Sequence, residues 1–437
     1  MAPVKGGAPE LADVVKIARD LIRINTTNYG SGRAEPESAA ADYIEGILDA
    51  LGLRCQRFEA APGRTNLIAR WVGRDVAAPA LMLHGHLDVV PADPALWTHG
   101  PFDGDIAQGM LWGRGAVDMK NMVAMILATV RELVAEGFQP RGDIVLAFFA
   151  DEEGGMTLGS DWMAKNHPEQ FAGVTHAVSE GGGYSVTVNG KRAYLMNTGE
   201  KGVLWLRLRA NGVAGHGSLP AVDNAILRLA GAVVRIGELE WPVTISATTG
   251  VLLESLRKLS GATADADPMD LAASVGASAP RIRAGLRNVS NVTMFDGGYK
   301  ENVVPESASA LIDVRYLPGE RQLVLDRIRE AAGENVSIDL ELELDAFEAP
   351  FSGDLVETVK SVISELDPGA VVLPHLIPGG TDAKSLLPLG ITGYGFIPLK
   401  LPEDYAFPAM FHGVDERVPL DALVFGQRAI AAIVRRS

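Results

Sequence analysis

Short apolar runs alternate with segments of helical periodicity over the first 150 residues of this chain. Apolar side chains recur at helical spacing over residues 10–24, 37–51 and 119–133. The runs between them are short and apolar, as expected of strands buried on both faces of a sheet, at residues 66–71, 80–83 and 144–150. This alternation predicts parallel βαβ units, whose ligands bind beyond the carboxyl ends of the strands.

The pattern changes near residue 201. Leu204, Leu206 and Leu208 alternate with polar or aromatic residues, which predicts a half-exposed antiparallel strand. Further elements are expected as helices at 224–236 and 321–332, strands at 289–295, 308–316 and 336–344, and a mobile polar excursion at 261–280. The α/β pattern returns at about residue 350, with helices at 355–366 and 420–434 and a strand at 392–397. We therefore predict a discontinuous domain, 1–198 and 350–437, with an inserted α+β domain, 199–349.

Charge and cysteine content limit the binding partners and the cellular compartment that we expect for this chain. With 39 Lys and Arg against 55 Asp and Glu, the net charge is −16, and a field of that sign repels nucleic acid and anionic membrane surfaces. One cysteine, Cys55, cannot form an internal disulfide. Neither a leader-like segment nor an apolar run of about 18 residues occurs. We expect a cytoplasmic protein that binds neither nucleic acid nor membrane.

Two motifs suggest a metal site. In HGHLDVVP, His86 and Asp88 are two residues apart and share one face of a strand. In DEEGG, Glu152 and Glu153 follow a strongly apolar strand, and the glycines allow a turn that brings both carboxylates toward one point. One ligating carboxylate and one that moves protons are what a metal-activated water requires. A hydrogen-bonded strand-end histidine and a solvated acidic loop are the alternatives.

Three further candidates carry little weight individually. Asp118 lies in GRGAVDMK between a glycine-rich turn and a helix, Glu180 lies in SEGGG, and His412 lies in FHGVDERVP before the last helix. An aspartate near the start of a helix is usually a cap. Histidine and carboxylate ligands without a thiolate suit Zn²⁺, while Co²⁺ and Mn²⁺ also fit.

Taken together, the motifs resemble one family. Between residues 84 and 418 the chain contains, in order, HGHLDVVP, GRGAVDMK, ADEEGG, SEGGG, AGHGS, NVVP with DVRYLPG, PGGTDA and FHGVDERV. This order resembles the co-catalytic di-zinc amidohydrolases and peptidases that include aminoacylase, acetylornithine deacetylase, succinyl-diaminopimelate desuccinylase and carboxypeptidase G. The resemblance implies a zinc-peptidase-like mixed sheet flanked by helices, an inserted α+β lid through which the chain dimerises, and two divalent metal ions.

The resemblance also implies a ligand set. His86 and Glu180 would bind one metal ion, Glu153 and His412 the other, and Asp118 would be shared by both. Asp88 would hold His86, and Glu152 would be the general base. The Asp118–Met119 peptide bond is expected to be cis.

The same resemblance implies how a substrate is held. His216, in AGHGS, would donate to the oxyanion, commonly in the neighbouring subunit. Arg315 and Asn302 would bind the substrate carboxylate, assisted by the glycine-rich loop, which contains Gly379, Gly380 and Thr381. The implied function is hydrolysis of an amide bond next to a free carboxylate, in a small N-acyl amino acid or dipeptide.

Substrate preference is less defined. Carboxypeptidase G has a second arginine shortly before the chain returns to the catalytic domain, whereas this sequence reads DAFEAPFSG, with Glu348. A strict preference for a C-terminal glutamate is therefore disfavoured. The extended segment 241–288 resembles aminoacylase and carboxypeptidase S types more than dedicated biosynthetic deacylases, such as the desuccinylase or deacetylase, which stay the alternative.

Alternatives from other classes are also open. A lactamase-type metal hydrolase needs a histidine directly after HxHxD, where Val89 stands, and a barrel amidohydrolase needs more histidine ligands. A non-catalytic metal-binding relative would keep the fold, but it has no need of a base such as Glu152.

Overall fold

A computed structural model describes residues 11–30 and 32–437 of the chain. Its helices are α1 (Asp13–Ile22), α2 (Ser38–Ala50), α3 (Lys120–Ala135), α4 (Ser160–Asn166), α5 (Ala225–Gly237), α6 (Ala247–Ser260), α7 (Pro268–Ala273), α8 (Ala279–Ala284), α9 (Arg321–Ala332), α10 (Asp354–Leu366), α11 (Ala383–Leu386) and α12 (Leu420–Arg436).

Its strands are β1 (Asn28–Gly30), β2 (Arg33–Ala34), β3 (Cys55–Ala61), β4 (Arg64–Trp71), β5 (Ala80–His86), β6 (Asp105–Ala107), β7 (Met110–Trp112), β8 (Ile144–Phe149), β9 (Val174–Ser179), β10 (Ser185–Val188), β11 (Lys191–Glu200), β12 (Gly202–Asn211), β13 (Gly215–His216), β14 (Val289–Gly297), β15 (Val303–Val304), β16 (Ser307–Tyr316), β17 (Val336–Leu344), β18 (Phe347–Glu348), β19 (Val371–Ile377), β20 (Thr392–Gly395) and β21 (Arg417–Pro419).

The larger sheet has ten strands and is mixed. Its order is β10-β11-β20-β9-β5-β8-β4-β3, and β18 and β19 also pair with β11. At its centre β9, β5 and β8 run parallel, whereas β4 and β3 continue it antiparallel. The central parallel strands and the helices between them confirm the α/β pattern that the apolar runs predict.

Helices cover both faces of this sheet, which explains why β8 is apolar throughout. Leu146 and Phe148 pack into the core that includes the apolar faces of α1, α2, α3, α10 and α12. Val145, Ala147 and Phe149 point the other way, into a core shared with α4 and α11. Since successive side chains of a strand alternate between the two faces, a strand covered on both sides needs apolar residues at every position.

A second, four-stranded sheet is antiparallel, in the order β14-β16-β12-β17. Leu204, Leu206 and Leu208 of β12 are buried together with apolar residues of α5 and α9, while Trp205 is 40% exposed. The predicted half-exposed strand is therefore confirmed. The exact bounds of an inserted domain, 199–349, stay a prediction.

The expectation of a mobile excursion at residues 261–280 is wrong. The stretch forms α7, a 3-10 turn and the start of α8, and Leu271, Ala272, Val275 and Ala279 are buried in the core of the larger sheet. α6, which the sequence analysis did not predict, packs against β19. The stretch is rich in alanine and therefore shows little apolar periodicity. Alanine is nevertheless the best helix former, and its small side chain allows close packing.

No helix within the described residues is both long enough and apolar enough to cross a membrane.

Candidate metal centre

The candidate ligands gather at the carboxyl ends of three neighbouring parallel strands. His86 is the last residue of β5, Glu152 and Glu153 follow β8, and Glu180 follows β9. Since these strands are adjacent and parallel, their ends meet at one edge of the sheet. The order β9-β5-β8 thus places the imidazole between the acidic groups that follow its neighbours.

Asp118 lies between two histidines. Its Oδ1 is 3.2 Å from Nε2 of His86, and its Oδ2 is 3.2 Å from Nε2 of His412. His412 Nε2 is also 3.3 Å from Oε2 of Glu153, and His86 Nε2 is 3.8 Å from Oε1 of Glu180. The Asp118–Met119 peptide bond is cis, as expected. One oxygen of Asp118 therefore faces His86 and Glu180, and the other faces His412 and Glu153.

The donor set fits two metal ions. His86, Asp118 and Glu180 offer ligand atoms within 4.8 Å of one another, and so do Asp118, Glu153 and His412. Oε1 of Glu153 is buried and has no hydrogen-bond partner among the described residues. A buried carboxylate oxygen without a partner is costly unless a cation binds it. Imidazole and carboxylate donors without thiolate suit Zn²⁺ and related divalent ions.

The electrostatics of the cluster also indicate missing positive charge. Burial raises the pKa of Glu152 well above its usual value, and the nearby Glu180 adds to the shift. Burial likewise raises the pKa of Glu180 and of Glu153. Hydrogen bonds to Asp118 and Glu153 raise the pKa of His412 to about 10. Shifts in this direction arise where several acids are buried close together, and divalent ions would balance their negative charge.

Asp88 contacts both His86, as the family pattern implies, and the acid pair that follows β8. Nδ1 of His86 is 2.9 Å from the backbone carbonyl of Asp88 but 3.5 Å from its carboxylate. The carboxylate instead accepts hydrogen bonds from the backbone amides of Glu152 and Glu153, both at 3.1 Å, and from the side chain of Asn28. Asp88 thus orients His86 through its backbone and the acid pair through its side chain.

Glu416 holds the backbone that carries Asp118, a role that the sequence analysis missed. It is fully buried, and its carboxylate accepts hydrogen bonds from the amides of Val117 (2.6 Å) and Asp118 (3.1 Å). Its other oxygen accepts from Gly115 and from the Arg114 guanidinium. The backbone that carries Asp118 is therefore fixed by a carboxylate four residues after His412. The acids of GVDER give a weak sequence signal, because they follow His412 so closely.

The cluster opens into a cavity of about 900 Å³. Arg315, Gly379, Gly380 and Thr381 line it together with all the carboxylates of the cluster. The Arg315 guanidinium forms two hydrogen bonds, of 2.6 and 2.9 Å, with the carboxylate of Asp313. The predicted substrate-binding arginine thus faces the cavity while it is paired within its own strand.

Thr381 is committed to the protein itself. Its amide and its hydroxyl both donate to the buried carboxylate of Glu200, at 3.0 and 2.6 Å. Among the three predicted loop residues, Gly379 and Gly380 are thus the ones with backbone amides left for a ligand, while Thr381 anchors the loop.

His216 and Asn302 lie apart from the cavity. The pairing of β13 with β15 places His216 opposite Val303, and the Gly217 amide donates to the carbonyl of Asn302. His216 is exposed, and the hydroxyl of Ser218 is 2.9 Å from its Nδ1. Neither predicted residue is among those that line the cavity of this chain.

Sequence analysis also missed Arg281, which lines the cavity from α8. It lies just beyond the stretch that was expected to be mobile, and no motif surrounds it.

Two histidines and three glutamates around one central aspartate, at the edge of an α/β sheet, define the class of hydrolases that use a pair of metal ions, aminopeptidases among them. The family model of peptidase family M20/M25/M40 matches residues 82–436. The chain belongs to this family. Its members are hydrolytic metalloenzymes that act on amide or peptide bonds, and this chain is a metal-dependent amide hydrolase.

Individual relatives agree with this assignment. The chain is 26% identical to mouse aminoacylase-1 over 434 residues, which cover 94% of this chain and 92% of the relative. Among solved structures, the metallo-carboxypeptidase Sso-CP2 of Sulfolobus solfataricus superposes with a TM-score of 0.74 at 18% identity, covering 98% and 99% of the two chains. The YXEP protein of Bacillus subtilis, described as a dinuclear metal binding peptidase, has a TM-score of 0.59 at 15% identity, covering 97% and 96%.

Proposed function

We propose that the chain hydrolyses the amide bond next to a free carboxylate in small N-acyl amino acids or dipeptides. The observation that carries the proposal is the position of Glu152. It lines the cavity beside the metal cluster, where its carboxylate lies within 4.8 Å of ligand atoms of His86 and Glu153 but forms no ion pair within the described residues. Glu153 and Glu180 lie nearer to an imidazole, at 3.3 Å from Nε2 of His412 and 3.8 Å from Nε2 of His86. The cluster thus leaves one carboxylate free for proton transfer.

The contacts described above support roles for the remaining residues. His86 and Glu180 are proposed to bind one divalent ion, Glu153 and His412 a second, and Asp118 both. Zn²⁺ suits these ligands, and Co²⁺ or Mn²⁺ would also fit. The ions would supply Lewis acidity and lower the pKa of a bound water.

Glu152 is proposed to accept a proton from the attacking water and to pass it to the leaving amine. Burial raises the pKa of Glu152 above its usual value, and a raised pKa makes a carboxylate a stronger proton acceptor. Arg315, together with the amides of Gly379 and Gly380, would bind the carboxylate next to the scissile bond. Thr381 would hold the loop in place.

We further propose a cytoplasmic homodimer formed through an inserted domain at residues 199–349. His216 and Asn302 would complete the partner's site, since they are exposed and outside the cavity of their own chain. β14 is an edge strand whose residues Met294 and Phe295 are 50% and 44% exposed. An exposed apolar edge of this kind pairs readily with a second copy.

Replacing Glu152 with Gln tests the proposal. The Glu152→Gln variant should retain two metal ions per chain, while kcat falls by about 10²–10⁴-fold because proton transfer is lost. Metal content and turnover would be measured on N-acetyl, N-succinyl and dipeptide substrates. The matched control, Glu153→Gln, should lose metal as well as activity. Undiminished turnover by Glu152→Gln would show that Glu152 is not the base.

A further inference from the structure

Arg281 is a cation in the cavity without a counter-charge. The cavity that contains the metal cluster is also lined by Arg281. Its guanidinium forms neither an ion pair nor a hydrogen bond with any residue in the described part of the chain. Arg315, the other arginine of the cavity, is by contrast paired with Asp313. A cavity-lining guanidinium that no carboxylate of the protein neutralises is available to an anion from outside.

The position of Arg281 is fixed by an aromatic ring. The guanidinium carbon lies 4.5 Å from the centroid of the Phe411 ring, in a cation–π contact. Phe411 directly precedes His412 and also lines the cavity. A guanidinium that lies over a ring keeps the N–H donors at its edge, and these match a carboxylate in a bidentate way.

The surroundings of Arg281 strengthen its field. Ile377 and Pro408 also line the cavity, and apolar walls reduce screening. His375, on β19 beneath, is buried, and neither of its ring nitrogens has a hydrogen-bond partner within the described residues. Burial, together with the charge of Arg281, lowers the pKa of His375 to about 3. Its imidazole is therefore neutral and takes no part in balancing the charges.

We propose that Arg281 determines substrate specificity by binding a second carboxylate of the substrate, in addition to the one next to the scissile amide. The inference rests on the proposed amide hydrolysis and names its substrate class. The four carboxylates of the cluster match the charge of two divalent ions, and Asp313 matches Arg315, so Arg281 is the unbalanced charge of the cavity. It comes from α8, on a different wall from the β12–β16–β17 sheet that carries Arg315.

Pairs of substrates that differ in one charge test the proposal. N-acetylglutamate would be compared with N-acetylglutamine, and N-succinyl-leucine with N-succinamoyl-leucine, using enzyme loaded with metal. The wild type should prefer the acid in at least one pair, by about 10- to 100-fold in kcat/KM, the range typical of a hydrogen-bonded charge pair. Arg281→Met should abolish that preference by lowering kcat/KM for the acid much more than for the neutral member.

Two further variants separate a charge effect from a structural one. Arg281→Glu should reverse the preference in favour of the neutral member and of N-acetyl-lysine. The control Arg287→Ala, at an exposed arginine six residues away and outside this cavity, should behave like the wild type. An equal loss for both members of a pair in Arg281→Met, or a wild type without acid preference, would overturn the inference. If the wild type hydrolysed none of the four amides, the proposed function itself would fail, and the inference with it.

Discussion

Glu416 lies outside the metal cluster and still controls the position of its central carboxylate, because it accepts hydrogen bonds from the backbone of Val117 and Asp118. Glu416→Gln keeps the size of the side chain but replaces one acceptor oxygen with a donor. A donor at that position faces backbone N–H groups that are themselves donors. We expect metal affinity to fall about 10- to 100-fold, as is typical when the groups that orient a ligand are removed.

Titration of the apoprotein with Zn²⁺ would measure this effect. The matched control is Asp415→Asn, because Asp415 is adjacent but its carboxylate accepts from Thr98 and not from the Asp118 backbone. Equal zinc affinity in Glu416→Gln and the wild type would mean that the turn before α3 holds Asp118 without help.

At the scale of single residues, the sequence indicates chemistry better than geometry. His86, Glu153 and Glu180 could be located because each lies at the carboxyl end of an apolar run, close to glycines, and the structure brings them together. The function of the Asp88 carboxylate depends on the conformation of the 151–155 turn, which a sequence does not reveal. Arg281 was missed because its proposed role depends on the absence of an ion-pair partner. Which residues form ion pairs is determined by the tertiary structure and cannot be read from the local sequence.

At the scale of elements, the segment from α6 to α8 is part of the core, and its leucines should carry stability. Leu256 of α6 is fully buried in the core of the larger sheet. Leu256→Ala should lower the free energy of unfolding by about 2–5 kcal/mol through lost contacts and a cavity. Val251→Ala, at a 45% exposed position of the same helix, should cost less than about 1 kcal/mol. Urea unfolding of both variants would measure the difference, and equally small effects would show that the segment is dispensable.

Strands and long amphipathic helices could be predicted because their periodicity is fixed by burial. β8 and β12 show the two cases, apolar at every position when covered on both faces and alternating when covered on one. α7 and α8 are only six residues long and pack with alanines, so their apolar periodicity is weak. Their position on the larger sheet depends on long-range contacts that no local pattern encodes.

At the scale of the whole molecule, the proposed contribution of His216 from a partner subunit would make the site of each chain dependent on a second copy. Mixing inactive Glu152→Gln chains with inactive His216→Ala chains should restore activity, because a mixed dimer contains one intact site. With random exchange of subunits, about a quarter of wild-type activity is expected. Turnover would be measured after co-expression of the two variants, alongside the oligomeric state.

Two samples serve as controls. Each contains only one of the two variants, and both should stay inactive. A monomeric wild type with full activity would contradict the contribution of His216 from a partner. Recovery in the mixed sample but in neither control would place the histidine of one chain in the site of the other.

The candidate ligands are distributed over positions 86, 118, 153, 180 and 412, and the turn that carries Asp118 is held by Glu416. A nascent chain therefore has four of its five candidate ligands, but neither His412 nor the Glu416 that supports Asp118, until residues 412–416 leave the ribosome. With the proposed ligand set, the second ion can bind only after nearly the entire sequence has been synthesised, and a fragment that ends before residue 412 should hold no more than one ion.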